Sequence, residues 1–189
     1  MANYSDPAYF EQLYQRDPDP WRFASSDYER DKYAATLAAA PGQYGRCFEV
    51  GCSIGVLTRQ LAGRCAGLVG VDVSETALAQ ARERCADLPH VTLARMAVPG
   101  EWPDGTFDLV IFSEVLYYLG LPGLQEAARR TLTCLRPGGT VVLVNWHGNT
   151  DGACTGDEAA ELFMAATPAL RPTLQQRAEK YRLDVLQAP

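Results

Sequence analysis

The chain has little of what marks several common functional classes. It contains 17 Lys and Arg against 23 Asp and Glu, for a net charge of −6, and the basic residues form no block. Duplex nucleic acid and anionic membranes both reward clustered positive charge, so neither is expected as the main partner. There are two histidines, His90 and His147, and the six cysteines include no C-x-x-C pair. A zinc site is therefore not expected. Several cysteines fall in apolar segments, and they read as buried thiols in a reducing compartment rather than as disulfides. The first residues are polar (Asn3, Asp6, Glu11), with no basic segment leading into an apolar run, so no secretory signal is read there. No apolar stretch is long enough to cross a bilayer. The expected location is the cytoplasm.

What is present is an ordinary globular composition, 47% hydrophobic and 21% charged over 189 residues. That length suits one domain that folds without disulfides or a structural metal. Residues 7–16 read as a short helix opened by Pro7. Asp17-Pro18-Asp19-Pro20-Trp21 cannot continue it and reads as an ordered turn. A second helix is expected from Ser26 as N-cap, with Glu29 as capping-box partner, ending before Pro41-Gly42.

From residue 45 the pattern alternates. Short apolar strands are expected at 47–50, 68–72, 91–93, 107–112 and 140–145. Helices are expected at 53–64, 75–86 (capped by Ser74), 123–135 and 157–165. Strands that are apolar throughout are buried on both faces, as in a parallel sheet covered by helices. Residues 173–179 and 181–187 read as a final antiparallel hairpin, because Tyr181, Leu183 and Val185 alternate with other side chains. The expected fold is α/β: a Rossmann-like three-layer sandwich on a mostly parallel seven-stranded sheet. Residues 1–44 form a helical extension and 45–189 the core of a single domain.

The first strand runs into Glu49-Val50-Gly51-Cys52-Ser53-Ile54-Gly55. A glycine turn between strand and helix lets a nucleotide approach the backbone. The turn lacks G-x-G-x-x-G and lacks the Gly-Lys-Ser/Thr of a P-loop, both of which cradle phosphates. Glu49 would repel a phosphate but tolerate a sulfonium or ammonium, and S-adenosylmethionine (SAM) carries both. Asp72 closes the next strand at the offset where an acid reaches ribose hydroxyls. The blander alternatives are a helix-dipole acid for Glu49 and an N-cap for Asp72, though Ser74 already fills that capping role.

These motifs, with the F-D-L-V strand and the L-R-P-G-G turn, resemble the class I SAM-dependent methyltransferases over about residues 46–147. Asp17-Pro18-Asp19-Pro20-Trp21 and the E-V-L-Y-Y-L run at 114–119 resemble the nodulation-type N-methyltransferases, which methylate the free amine of a chitooligosaccharide. The resemblance implies that Glu49, Gly51, Cys52, Ser53 and Gly55 surround the methionine part of SAM. It implies that Asp72 holds the ribose, that Val73, Met96 and Ala97 flank adenine, and that Ser113 lies near the methyl. Met96 stands where many relatives have Asp.

Methyl transfer from a sulfonium needs alignment and exclusion of water more than stabilisation of new charge. Glu114 is the candidate to anchor an amine. His147 carries the side chain suited to general-base work at neutral pH. Tyr117 and Tyr118 would wall the acceptor pocket, and Asp151 and Asp157 would add negative charge if they converge with Glu114. Trp21, Arg22 and Tyr28 would close over the cofactor as part of a lid. Each has a plainer reading: a solvated acid for Glu114, a packed imidazole for His147, core aromatics for the rest. The expected activity is N-methylation of a small amine, such as an amino sugar. The alternatives are O-methylation of a small hydroxylated metabolite or a SAM-binding protein without catalysis.

Overall fold

A computed structural model describes residues 6–189; Asn3 lies outside them. Helix α1 spans Pro7–Arg16 and α2 Asp27–Ala39. Strand β1 (Tyr44–Val50), α3 (Val56–Ala62), β2 (Cys65–Asp72), α4 (Glu75–Arg84) and β3 (Val91–Arg95) follow. Then come β4 (Phe107–Ser113), α5 (Gly120–Cys134), β5 (Leu135–Trp146), α6 (Gly156–Ala166), β6 (Arg171–Arg177) and β7 (Tyr181–Gln187). The seven strands form one sheet in the order β3-β2-β1-β4-β5-β7-β6. β1 to β5 pair in parallel, and β7 runs antiparallel to both β5 and β6. The expected Rossmann-like sheet with its antiparallel hairpin is what forms.

Side-chain alternation decides which layer each residue joins. Phe48, Val50, Val110, Phe112, Val141 and Leu143 point to the face covered by α5 and α6. Cys47, Leu109, Ile111, Val142 and Val144 point to the face covered by α2 and α3. By the same parity Glu49 falls on the α2–α3 side, with Cys47 rather than with Phe48. Among the described residues no helix is long and apolar enough to cross a membrane. All six cysteines are free thiols, five of them buried.

Several boundaries differ from the sequence reading for local reasons. The helix expected from Ser53 begins at Val56, because Ser53 (φ 50°) and Gly55 (φ 78°) adopt left-handed conformations incompatible with helix. Ser26 does cap α2, accepting from the Glu29 amide at 3.5 Å. Glu29 does not complete a capping box: its carboxylate turns to Lys32, and the Ser26 amide donates to the Arg22 carbonyl instead. α5 starts at Gly120 rather than Gly123, and sheet pairing begins at Leu135, with an irregularity across Arg136–Gly139 before the regular run from Thr140. β6 covers 171–177 rather than 173–179.

Candidate active site

The parallel strands β1, β2 and β4 end at one edge of the sheet, the position where open α/β sheets place ligands. A cavity of about 540 Å³ lies there. Its floor is the Gly51–Ser53 turn, Asp72-Val73 after β2, Met96 after β3, and Ser113-Glu114 after β4. Its roof comes from the N-terminal helices: Phe10 and Tyr14 of α1, Trp21 from the connecting turn, and Tyr28, Glu29 and Lys32 of α2. Tyr117, Tyr118, Trp146 and Asp151 close the far end.

The turn after β1 is built around two glycines with different tasks. Gly51 has φ +75°, and a Cβ there would collide with Val115 Cγ2. Gly55 has φ +78°, and a Cβ there would lie 2.9 Å from the Ala81 Cα. Gly55 thus lets α3 pack against α4 and does not line the cavity. Asp72 is anchored from both sides: its Oδ2 accepts from the Ser53 amide and its Oδ1 from the Ser74 amide, each at 2.9 Å. The Val73 amide also interacts with the carboxylate, and the acceptor capacity that remains suits hydroxyl donors. Burial raises the Asp72 carboxyl above the usual range, against these amides, which lower it.

Glu49 does not reach the large cavity. It is 2% exposed and borders a second void of about 30 Å³ beside the turn, shared with Cys52, Tyr33, Glu29 and Glu114. Its Oε2 has no hydrogen-bond partner. Burial pushes its carboxyl up to about 8, with Thr58 acting in the opposite direction and Asp72 adding a smaller upward push.

Glu114 is held in a left-handed conformation (φ 60°) just past the end of β4, an uncommon geometry for a non-glycine residue. Its Oε1 accepts from Lys32 Nζ at 2.7 Å. Its Oε2 accepts from the Tyr117 hydroxyl at 2.8 Å and the Trp146 amide at 2.7 Å. Lys32 also donates to Glu29 Oε1 at 2.9 Å. The lysine side chain is 2% exposed, so Glu29, Lys32 and Glu114 form a buried ionic trio. Tyr28 lies between two cations, with Lys32 and Lys180 at 5.1 and 5.5 Å from its ring, and its hydroxyl has no partner. Burial first, then Glu114 and Glu29, push that hydroxyl above the usual phenol range.

Above the turn, the Tyr14 hydroxyl hydrogen-bonds Ser53 Oγ. Glu11 fastens α1 to the start of α4, accepting from Ser74 Oγ at 2.7 Å, Thr76 Oγ1 at 2.5 Å and the Thr76 amide at 3.2 Å. The Thr76 hydroxyl above all, helped by the Ser74 hydroxyl, the Thr76 amide and Gln15, holds the Glu11 carboxyl down at about 2 against burial, which raises it.

Of the residues expected at a site, the structure brings Trp21, Tyr28, Gly51, Ser53, Asp72, Val73, Met96, Ser113, Glu114 and Tyr117 to one cavity. Cys52 and Glu49 sit behind its wall at the smaller void. Ala97 does not line the cavity; its amide donates to Glu101. His147 does not line the cavity either: its Nε2 meets the Ala178 carbonyl, and its amide donates to Lys180 in the β6–β7 turn. Arg22 is not among the lining residues. Asp151 joins the site, while Asp157 pairs with Arg177 on β6. Glu29, Lys32 and Tyr14 were not singled out by sequence. The signal for the first two was faint: Glu29 and Lys32 stand one turn apart on α2, and Lys32 is one of only two lysines in the chain.

Comparison with known proteins agrees with this geometry. Residues 7–157 match the family profile described as "Nodulation protein S (NodS)". Nodulation protein S of Rhizobium tropici is 35% identical over 127 residues, covering 66% of this chain but only 53% of that relative. Among solved structures, the N-methyltransferase NodS from Bradyrhizobium japonicum WM9 in complex with S-adenosyl-l-homocysteine (SAH) superposes with a TM-score of 0.84. It is 25% identical, over 95% of this chain and 98% of that one. A putative methyltransferase from Pseudomonas syringae is 34% identical, with a TM-score of 0.75 over 85% of this chain and 98% of that one.

Proposed function

Because the chain belongs to the nodulation protein S family, we propose that it methylates the nitrogen of a small amine, with SAM as methyl donor. One observation carries the choice of an amine: apart from Asp72, which faces the cofactor, the cavity is lined by Glu29, Glu114 and Asp151 and, among the described residues, by a single cation, Lys32. That lysine is already bound to Glu29 and Glu114. The acceptor end therefore carries excess negative charge in a partly desolvated place, which favours an ammonium over a neutral hydroxyl.

The residues present fit the cofactor. Asp72 keeps free acceptor positions for ribose hydroxyls, Val73 and Met96 offer apolar surface to adenine, and the Gly51–Ser53 backbone leaves room for the methionine part. Glu49, with its unpartnered buried oxygen, holds a proton behind that turn and becomes an anion there only when the proton leaves. SAM supplies an electrophilic methyl on a positively charged sulfur. The chain's contribution is to orient the two partners and exclude water. Phe10, Tyr14, Trp21 and Tyr28 serve the second task, so residues 6–44 act as a lid on the core that follows. Tyr117 and Tyr118 wall the acceptor. An amino sugar suits this end, since its ring can lie on the Tyr118 and Trp146 faces. The free thiols support a cytoplasmic location, and the net charge of −6 supports a small-molecule acceptor over a polyanion.

The test is calorimetric titration with SAM and SAH of the wild type and Asp72→Ala, followed by methylation assays on glucosamine oligomers. Cofactor binding in the micromolar range that the variant loses, with N-methylated oligomer from the wild type, is the expected result. No binding of either ligand to the wild type removes the reading.

A further inference from the structure

The Glu29 carboxylate is left over by the contacts assigned so far. Glu29 is 6% exposed, and its Oε2 has no hydrogen-bond partner. A buried carboxylate oxygen without a donor is costly and calls for an explanation. Glu29 borders both the large cavity and the void of about 30 Å³ behind it. Its Oε1 is fixed by Lys32 at 2.9 Å, and Oε2 is the buried oxygen without a hydrogen bond. Glu114 differs: three donors, from Lys32, Tyr117 and Trp146, occupy its two oxygens.

We propose that Glu29 receives the acceptor's ammonium and takes its proton before the nitrogen is methylated, with Lys32 as a positioning residue. The inference rests on the amine-methylation reading above. With all three groups ionised, the Glu29–Lys32–Glu114 trio has a net charge of −1, and an ammonium balances it. The N–H bond breaks with its electron pair left on nitrogen, and the O–H bond forms at Glu29 Oε2. That pair is then free to bond the methyl supplied by SAM, the C–S electrons remaining on sulfur. The product leaves as a methylated ammonium, and Glu29 returns its proton to water. After the transfer, Lys32 and Glu114 remain as a neutral pair, so no uncompensated charge is stranded.

The surroundings of Glu29 are consistent with such a base. The ionisable groups facing it are Tyr28, Lys32 and Tyr33 on α2, Glu49 of β1 across the void, and Glu114 after β4. Burial, with Glu114, raises its carboxyl above the usual range, while the Lys32 ammonium and the Tyr33 hydroxyl act in the opposite direction. A general base works best when its affinity for a proton approaches that of the medium at the working pH.

The experiment compares the full chain with Glu29→Gln and Glu29→Asp, each first shown to bind SAH with wild-type affinity. Calorimetry of glucosamine and of glucose into the SAH-saturated proteins reads the charge preference. Methylation of a glucosamine oligomer across pH reads the proton transfer. The wild type is expected to favour glucosamine by about tenfold or more, Glu29→Gln to lose that preference, and Glu29→Asp to retain part of it. At neutral pH Glu29→Gln should be slower by about 10²-fold or more, climbing roughly tenfold per pH unit as solvent deprotonates the amine. A Glu29→Gln protein with the wild-type preference and the wild-type pH profile overturns the proposal. Failure of the amine-methylation reading looks different: the wild type, with Glu29 intact, yields no methylated product, while the binding arm still reports on Glu29.

Discussion

Lys32 Nζ lies 2.7 Å from Glu114 Oε1, a pair separated by 82 residues that ties α2 to the end of β4. The lysine side chain is 2% exposed and bonds Glu29 as well. Removing one member of a buried ionic group leaves the others uncompensated, which costs about 3–5 kcal/mol. Lys32→Met should therefore lower stability in urea by about that amount. Combining Lys32→Met with Glu29→Gln and Glu114→Gln should restore much of the loss, because no buried charge is left alone. A Lys32→Met protein as stable as the wild type would show that the trio is solvated rather than sealed under α2.

Glu49 gives a pH dependence whose sign is fixed by its burial. Its carboxyl is raised from an ordinary 4.5 to about 8 in the folded protein. The folded state thus holds a proton that the unfolded state has released, and stability falls as pH rises between those values. Glu49→Gln keeps the hydrogen-bonding shape but cannot ionise. It should match the wild type near pH 5 and exceed it near pH 8, read by thermal unfolding without cofactor. Binding of a cation beside Glu49 requires that proton to leave, so wild-type affinity for SAM should rise toward pH 8. Loss of that slope in Glu49→Gln is the accompanying check.

Gly55 separates a packing glycine from a ligand-facing one. Its φ of +78° and the 2.9 Å approach to Ala81 Cα both oppose a side chain. Gly55→Ala should cost about 1–3 kcal/mol through strain and overpacking. SAH affinity, once corrected for the unfolded fraction, should change little. A large loss of affinity with full stability would put Gly55 back at the ligand.

The sequence made the sheet legible because every central strand is apolar on both faces, and the Gly51 turn and Asp72 stand out at strand ends. The direction of individual side chains was less visible. Glu49 looked like a cavity residue, but the strand's alternation sends it with Cys47 toward α2 and α3. His147 looked available as a base, yet it falls in the turn region paired with Ala178 and Lys180. Glu29 looked like a capping residue, because S-x-x-E describes a local contact equally well. Its use by Lys32 and its closeness to Glu114 depend on how α2 crosses the sheet, a tertiary fact with no local signature.

The attachment of α1 can be tested through Glu11. Its carboxylate accepts from two hydroxyls and an amide at the first turn of α4, where the helix dipole also favours an anion. Its carboxyl is depressed from 4.5 to about 2. The stabilisation is therefore present above the ordinary value and is lost as pH falls toward about 2. Glu11→Ala should free α1 from α4 while leaving the sheet unaffected. Since α1 contributes Phe10 and Tyr14 to the cavity roof, the variant should release SAH about fivefold faster, equivalent to ~1 kcal/mol for a lost cap. Hydrogen exchange in residues 7–16 should rise in the same variant, and exchange in β1 and β4 should not. Faster exchange throughout the sheet would mean that Glu11 supports the whole fold, and unchanged release would mean that α1 does not hold the cofactor in place.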